Sequence, residues 1–223
     1  MFQKIIEFIS FNIISPFNWT RVKFLLTGRA YDLTAEDRER ARTLMEGGVY
    51  LWVSRRQTHL TSYLISFGDF ALDVLLWFRC GCKGKRPRFG YWTHAFINAN
   101  GDQLVEAVAK GVREVYFDQV FDCDSAAALV PAFITPLEWV EVSKLVRDQA
   151  LKDIGKKYDA VFNIEDDSKV SCIELMRSAL KKVVPDYEIK FRDFENIIKK
   201  YKNVTPQMLF ESKSFVVVWE ARR

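Results

Sequence analysis

Apolar residues in this chain recur at two periods, and the switches between them mark the elements. Ala35 to Glu46 carries apolar positions at helical spacing, opens at Thr34 with Glu36 and Asp37 in its first turn, and stops at Gly47-Gly48. Val49-Tyr50-Leu51-Trp52-Val53 is a short run of β-formers and reads as a buried strand. Tyr91 to Ala99 and Gln103 to Val108 read as a hairpin closed by Ala99-Asn100-Gly101. Another strand follows through Gly111 to Phe117, and one more spans Ala126 to Thr135, where Pro131 argues for an edge or a bulge.

Helical spacing returns at Pro136 and lasts to Gly155. A third helix begins at Cys172, buries Leu175, Met176, Ala179, Leu180 and Val183, and stops before Pro185. Phe191 to Tyr201 is amphipathic, Thr205-Pro206 opens a short helical turn, and Phe215 to Trp219 is a final strand. The pattern predicts an α+β fold, an antiparallel sheet packed against the helix that carries Cys172. A helical extension over residues 1–44 precedes a domain over 45–223.

Two stretches do not fit that frame. Residues 1–27 are apolar but broken by Glu7, Asn12 and Pro16. They lack a small-residue cleavage site, which argues against a secretory signal, and are too short and interrupted for a transmembrane span. Two readings stand: a helix packed on the body or on a partner, or a helix lying in a membrane interface. Residues 58–79 are long and aromatic, and the loop 80–90 carries Lys83, Lys85, Arg86 and Arg88. Together, 58–90 form a candidate lid or docking insert facing a membrane surface or a protein partner. The expected location is cytoplasmic or peripheral to a membrane.

The 223 residues, 49% hydrophobic and 28% charged, suit one core-forming domain. A net charge of +4 gives no reason to expect nucleic acid. The cysteines Cys80, Cys82, Cys123 and Cys172 lack the Cys and His spacing of a zinc site and are too few for a disulfide framework. Cys80-Gly81-Cys82 reads as a small turn or a redox pair, Cys123 between two aspartates as a surface or half-buried thiol, and His59 as structural.

Chemistry concentrates at Cys172. A thiol in the first turn of a helix sits among unpaired N–H groups at the positive end of the dipole, which favours the thiolate, and the thiolate is the nucleophile. It needs a base, and His94 is the candidate. If Asn98 faces Asp102 across the hairpin, residue 96 pairs with 104 and 94 with 106, which sets Glu106 beside His94 to orient the imidazole. A one-residue slip would break this arrangement.

Trp92-Thr93-His94-Ala95-Phe96-Ile97, Asn100-Gly101, Leu104-Val105-Glu106-Ala107, Gly111-Val112, Ile154-Gly155-Lys156-Lys157-Tyr158-Asp159 and Ser171-Cys172-Ile173-Glu174-Leu175 occur in that order. The set resembles the circularly permuted, YiiX-like branch of the NlpC-type papain-like thiol hydrolases, in which the histidine strand precedes the cysteine helix. The resemblance covers residues 45–220. It departs at Ile173, where the family has a small polar residue. It implies a permuted papain-like fold, Cys172 as nucleophile, His94 as base and Glu106 as the orienting group. Tyr158, Tyr91 and Ser171 are candidate substrate-binding residues. The implied reaction is acyl transfer through a thioester, with no metal or organic cofactor. The expected activity is an amidase or peptidase, on peptide amides of bacterial wall. The alternatives are a lipid acyl hydrolase or acyltransferase with the same triad, and a structural or assembly protein that keeps the fold.

Overall fold

The computed structural model describes residues 33–48, 50–55, 65–68, 70–71, 74, 77–78, 90–100, 102–159, 168–201 and 204–222. Residues 1–32, His59, Asp69, Asp73, Cys80, Cys82 and the basic loop lie outside them.

Helix α1, Ala35–Glu46, starts where Thr34 Oγ1 accepts a hydrogen bond from the Asp37 N–H and the Asp37 carboxylate accepts one from the Thr34 N–H, at 3.1 and 3.0 Å. It crosses the boundary expected at 44/45 and buries Ala41 and Met45. Among the described residues, these two side chains share a core with Trp52 and Phe96 of the sheet. Strand β1, Leu51–Arg55, is followed by β2, His94–Asn100, β3, Gln103–Val108, and β4, Gly111–Tyr116. The short helix α2, Phe117–Val120, leads to β5, Ser125–Pro131.

Helix α3, Pro136–Leu151, starts at a second capping box, between Thr135 and Glu138. The two-residue strands β6, Lys157–Tyr158, and β7, Lys169–Val170, pair in parallel. Then come α4, Cys172–Val183, α5, Tyr187–Lys190, α6, Arg192–Tyr201, α7, Pro206–Glu211, and β8, Phe215–Ala221.

The main sheet is antiparallel in the order β4-β3-β2-β1-β5-β8. The inward side chains of β1 and β2 alternate between two cores. Leu51, Val53, Ala95 and Ile97 meet α3 and α4 through Val146, Ala150, Leu175 and Met176. Trp52 and Phe96, stacked at 6.3 Å between ring centroids, meet α1 and α2 through Met45, Phe117 and Phe121. The sheet is thus covered on both faces, which explains why β1 is apolar without alternation.

Two expectations about strands change. Strand β5 ends at Pro131 rather than Thr135, and it lies between β1 and β8, not at an edge. Pro131 is tolerated as the strand's last residue, and the ladder's irregularity falls at Ala128/Leu129. Cys123 is buried, 2% exposed, in the α1–α2 core rather than at the surface. Its aspartate neighbours in sequence do not decide where the pleat and the α2 turn send the thiol.

One glycine fixes the position of β6. Gly111 has φ +104°, and a Cβ there would lie 2.5 Å from the Lys156 carbonyl oxygen. That close approach lets the Val112 N–H donate to the Lys156 carbonyl and the Gly155 N–H donate to the Val112 carbonyl, both at 2.9 Å. The end of α3 is thereby tied to β4, and Tyr158 is delivered two residues later. Gly111→Ala should lower unfolding stability by at least ~2 kcal/mol, through backbone strain plus the clash. Gly155→Ala, at φ +87° in open space, should cost only about 1 kcal/mol. Denaturant melts of the two variants separate these effects, and equal losses would refute the role of the close approach.

Candidate active site

Helix α4 begins because Ser171 caps it. Its hydroxyl accepts from the Glu174 N–H at 3.3 Å, and its own N–H donates to the Glu174 carboxylate at 2.6 Å. The reciprocal cap fixes the first turn and sets Cys172 at its first position, 1% exposed. Ser171 is fully buried, and its N–H and hydroxyl both take part in this cap.

His94 opens β2, at the rim of the sheet. Its ring stacks on Phe96, centroids 5.9 Å apart, and its Nε2 meets a Glu106 carboxylate oxygen at 2.8 Å. The Cys172 thiol lies in hydrogen-bond reach of the same imidazole. The ring therefore bridges the two layers, with Phe96 on one side of the sheet and Cys172 on the other. With Nε2 engaged by the carboxylate, Nδ1 is the nitrogen left for sulfur.

The carboxylate arrives in a register other than the expected one. Glu106 sits opposite Phe96, not His94, and Ala99 and Asn100 belong to β2, where the ladder shifts between Asn98 and Asn100. The slip is two residues, and side chains alternate with period two, so Glu106 stays on the face of His94 and reaches it diagonally. An even slip preserves a contact that an odd one destroys.

Glu106 has a second partner that the sequence reading missed. Arg113 stands directly opposite on β4 and donates from Nε at 3.0 Å and from a terminal guanidinium nitrogen at 2.7 Å, both to the other carboxylate oxygen. The signal was present. Val108 pairs with Gly111 across the two-residue turn Ala109-Lys110, and counting back from that pair sets Arg113 against Glu106.

These contacts set the charges. Burial by itself would raise the Glu106 pKa, but the hydrogen bond and charge of His94, with those of Arg113, hold it at about 2, down from 4.5. Burial by itself would lower the His94 pKa. The hydrogen bond to Cys172 and the bond and charge of Glu106 outweigh it, and the imidazole is raised from 6.5 to about 9.

Tyr158 is brought to the thiol and hydrogen-bonds with it. Burial, then the electrostatic influence of Cys172, Asp159 and Glu174, pushes its phenol well above its ordinary value, so it stays protonated and can donate. Tyr91 packs against the core that contains Cys172 and has a different set of partners. Its hydroxyl shares a 2.5 Å hydrogen bond with Ser125 Oγ, and its ring lies under the guanidinium groups of Arg55 and Arg222. A cavity of about 330 Å³ between α1 and β8, lined by Glu39, Thr43, Leu44 and Trp219, lies with the α1 layer, away from the Cys172 core.

No family model matches the chain, and no curated protein matches it. Among solved structures it is similar to the metalloprotein YiiX from Escherichia coli O157:H7, at 13% identity and a TM-score of 0.51, over 78% of this chain and 98% of that one. The likeness shows a YiiX-like α+β fold. The word metalloprotein describes that protein. Among the described residues here, no group of three or more His, Cys, Asp or Glu side chains could hold a metal ion. The Arg113 guanidinium on Glu106 also occupies one carboxylate oxygen with a positive charge. The described residues do not suit a metal ion.

The shifts predict how stability depends on pH. The raised His94 contributes fully below pH 6.5, and its contribution fades as pH rises through about 9. The depressed Glu106 contributes fully above pH 4.5, and its contribution fades as pH falls through about 2. The stability difference between wild type and Glu106→Gln should therefore be greatest between pH 4.5 and 6.5 and shrink on both sides. Denaturant midpoints across pH measure it, and a difference independent of pH would show that the two groups are not coupled.

Proposed function

We propose that the protein is a cysteine-dependent acyl-transfer hydrolase with a permuted papain-like site, in which Cys172 is the nucleophile, His94 the base and Glu106 the group that orients the base. The observation that carries this reading is the imidazole of His94 held between the Glu106 carboxylate, at 2.8 Å, and a thiol at the first turn of a helix. The order of histidine strand before cysteine helix supports the permuted assignment.

In the proposed reaction, His94 takes the proton of Cys172 Sγ and forms a thiolate–imidazolium pair. The thiolate attacks an acyl carbonyl, and the negative charge that develops on oxygen is met by the Cys172 N–H at the positive end of α4 and by the phenol of Tyr158. The imidazolium returns its proton to the departing amine or alkoxide as the carbonyl–leaving-group bond breaks, which leaves a thioester on sulfur. Water, deprotonated by His94, attacks the thioester and releases a carboxylic acid and the free thiol. Glu106, itself held by Arg113, keeps the imidazole in one orientation and stabilises its charged form.

The proposed acyl donor is a peptide amide, with bacterial wall peptides as the first substrates to try. The second reading, a lipid acyl ester cleaved by the same groups, is favoured by the exposed rings of Phe67 and Phe78. Turnover of wall-peptide fragments and of acyl lipids in vesicles tells the two apart.

A thiol-reactive probe near neutral pH should modify Cys172 selectively. His94→Ala should slow that labelling by about 10²-fold or more, and Cys172→Ser should abolish turnover. Labelling of Cys172 that is indifferent to His94→Ala would overturn the catalytic reading and leave a structural or assembly protein.

A further inference from the structure

Arg113 and Arg177 each lay the Nε–Nη2 edge of the guanidinium on a carboxylate, that of Glu106 at 3.0 and 2.7 Å and that of Glu195 at 2.8 and 3.1 Å. Two parallel N–H groups on that edge match the two oxygens of a carboxylate. Arg55, at the end of β1, uses its guanidinium differently. Its Nη1 donates to the Gly90 and Tyr91 carbonyls, at 3.4 and 2.9 Å, and its Nε is buried without an acceptor. Among the described residues no acceptor meets its Nη2 and no carboxylate lies in ion-pair range. Its cationic neighbour Arg222 is answered by Glu220. Arg55 is thus a half-buried charge whose forked edge stands open. A buried donor without an acceptor is destabilising until something fills it.

Sheet alternation places Arg55 on the side of Cys172. Leu51 and Val53 face the core that contains Cys172, and Arg55 continues their series along β1. Its guanidinium packs on the Tyr91 ring, 4.8 Å from the centroid, and Tyr91 lies against that same core. The indole Nε1 of Trp92, whose ring meets Tyr91 edge-on at 5.0 Å, is a second buried donor without an acceptor. Ser54 pairs with His94, which sets the Arg55 Cα about 6 Å from that of His94. An extended peptide advances about 3.5 Å per residue, so a chain whose carbonyl is at the sulfur reaches Arg55 within a few residues.

We infer that Arg55 anchors a carboxylate of the substrate, a few residues from the bond that Cys172 attacks. The inference rests on the acyl-transfer reading proposed above and narrows its substrate to a peptide with a free carboxylate. One guanidinium edge offers one positive charge and two donors, which suits a carboxylate better than a doubly charged phosphate.

Alkylation of Cys172 by bromoacetyl compounds tests it, with the modified residue identified by peptide mapping and each rate taken relative to free cysteine. Bromoacetyl-glycylglycine should modify Cys172 about 10-fold faster than its C-terminal amide. Bromoacetate is too short to span the two groups and should show no such gain over bromoacetamide. Bromoacetyl-aspartate, amidated at its backbone carboxyl, tells a side-chain carboxylate from a terminal one, and a gain for either acid supports the anchor. Arg55→Gln should bring the acid-to-amide ratio to about 1. Arg192→Gln, which removes an equal charge from the exposed start of α6, should keep the wild-type ratio. If Arg55→Gln does not fold, the comparison is made on wild type, where acetyl-glycylglycine should protect Cys172 from iodoacetamide better than its amide does. Equal rates for acids and amides, a gain already complete with bromoacetate, or a ratio that survives Arg55→Gln overturns the anchor. A Cys172 that reacts with none of these reagents, or reacts regardless of His94→Ala, overturns instead the thiol reading on which the anchor rests.

Discussion

The structure turns on one carboxylate. Glu106 is 5% exposed, and a buried charge is tolerated only where other charges and hydrogen bonds surround it. Its two oxygens are divided between His94 on β2 and Arg113 on β4. Three adjacent strands therefore converge on one group, and the registers of both hairpins are locked to that convergence. Sliding either hairpin by one residue would leave an uncompensated charge beneath the sheet and turn the apolar side chains of that strand to the wrong core. The same carboxylate holds the imidazole at the rim, in reach of the thiol. Here the contacts that specify the fold and those that hold the imidazole coincide.

The second half of the site is built by helix-end physics. The Ser171–Glu174 box satisfies N–H groups that an uncapped α4 would leave unpaired, and so fixes where Cys172 stands. Gly111 admits the Lys156 carbonyl against β4, and the chain then places the Tyr158 phenol at the sulfur. Three distant segments meet at Cys172, each held by backbone or capping bonds rather than by the thiol itself. Cys172 is 1% exposed, so a solute reaches its sulfur only when the covering residues move aside.

Much of this was legible in the residues. Thr34, Thr135, Ser171 and Thr205 announce helix starts through side chains that bond locally, and such signals need no tertiary context. The helices at Ala35, Pro136 and Cys172 follow them. The pairing of His94 with Glu106 was legible because face depends only on parity, whereas the hairpin register was not, since the shift at Asn98/Asn100 inserts a step that turn length does not record. Pro131 left an edge or a bulge open, and the strand has an irregularity at Ala128/Leu129 without lying at an edge. A proline excludes one backbone bond, and a strand's last position satisfies that as well as an edge does. Tyr91 was a candidate substrate-binding residue, and its contacts to Ser125, Arg55 and Arg222 come from segments distant in sequence.

By itself, then, the sequence determined the longer helices and strands, and which thiol and which imidazole are candidates to meet. These follow from local bonding and from periodicity, which act over a few residues. Only the tertiary structure decided that β5 lies inside the sheet, that Arg113 holds Glu106, that Tyr158 rather than Tyr91 meets the sulfur, and that Cys123 is sealed in the second core. Each of these is a choice among partners far apart along the chain. It is settled by where buried charge and apolar area can both be satisfied at once, a condition that no single segment contains.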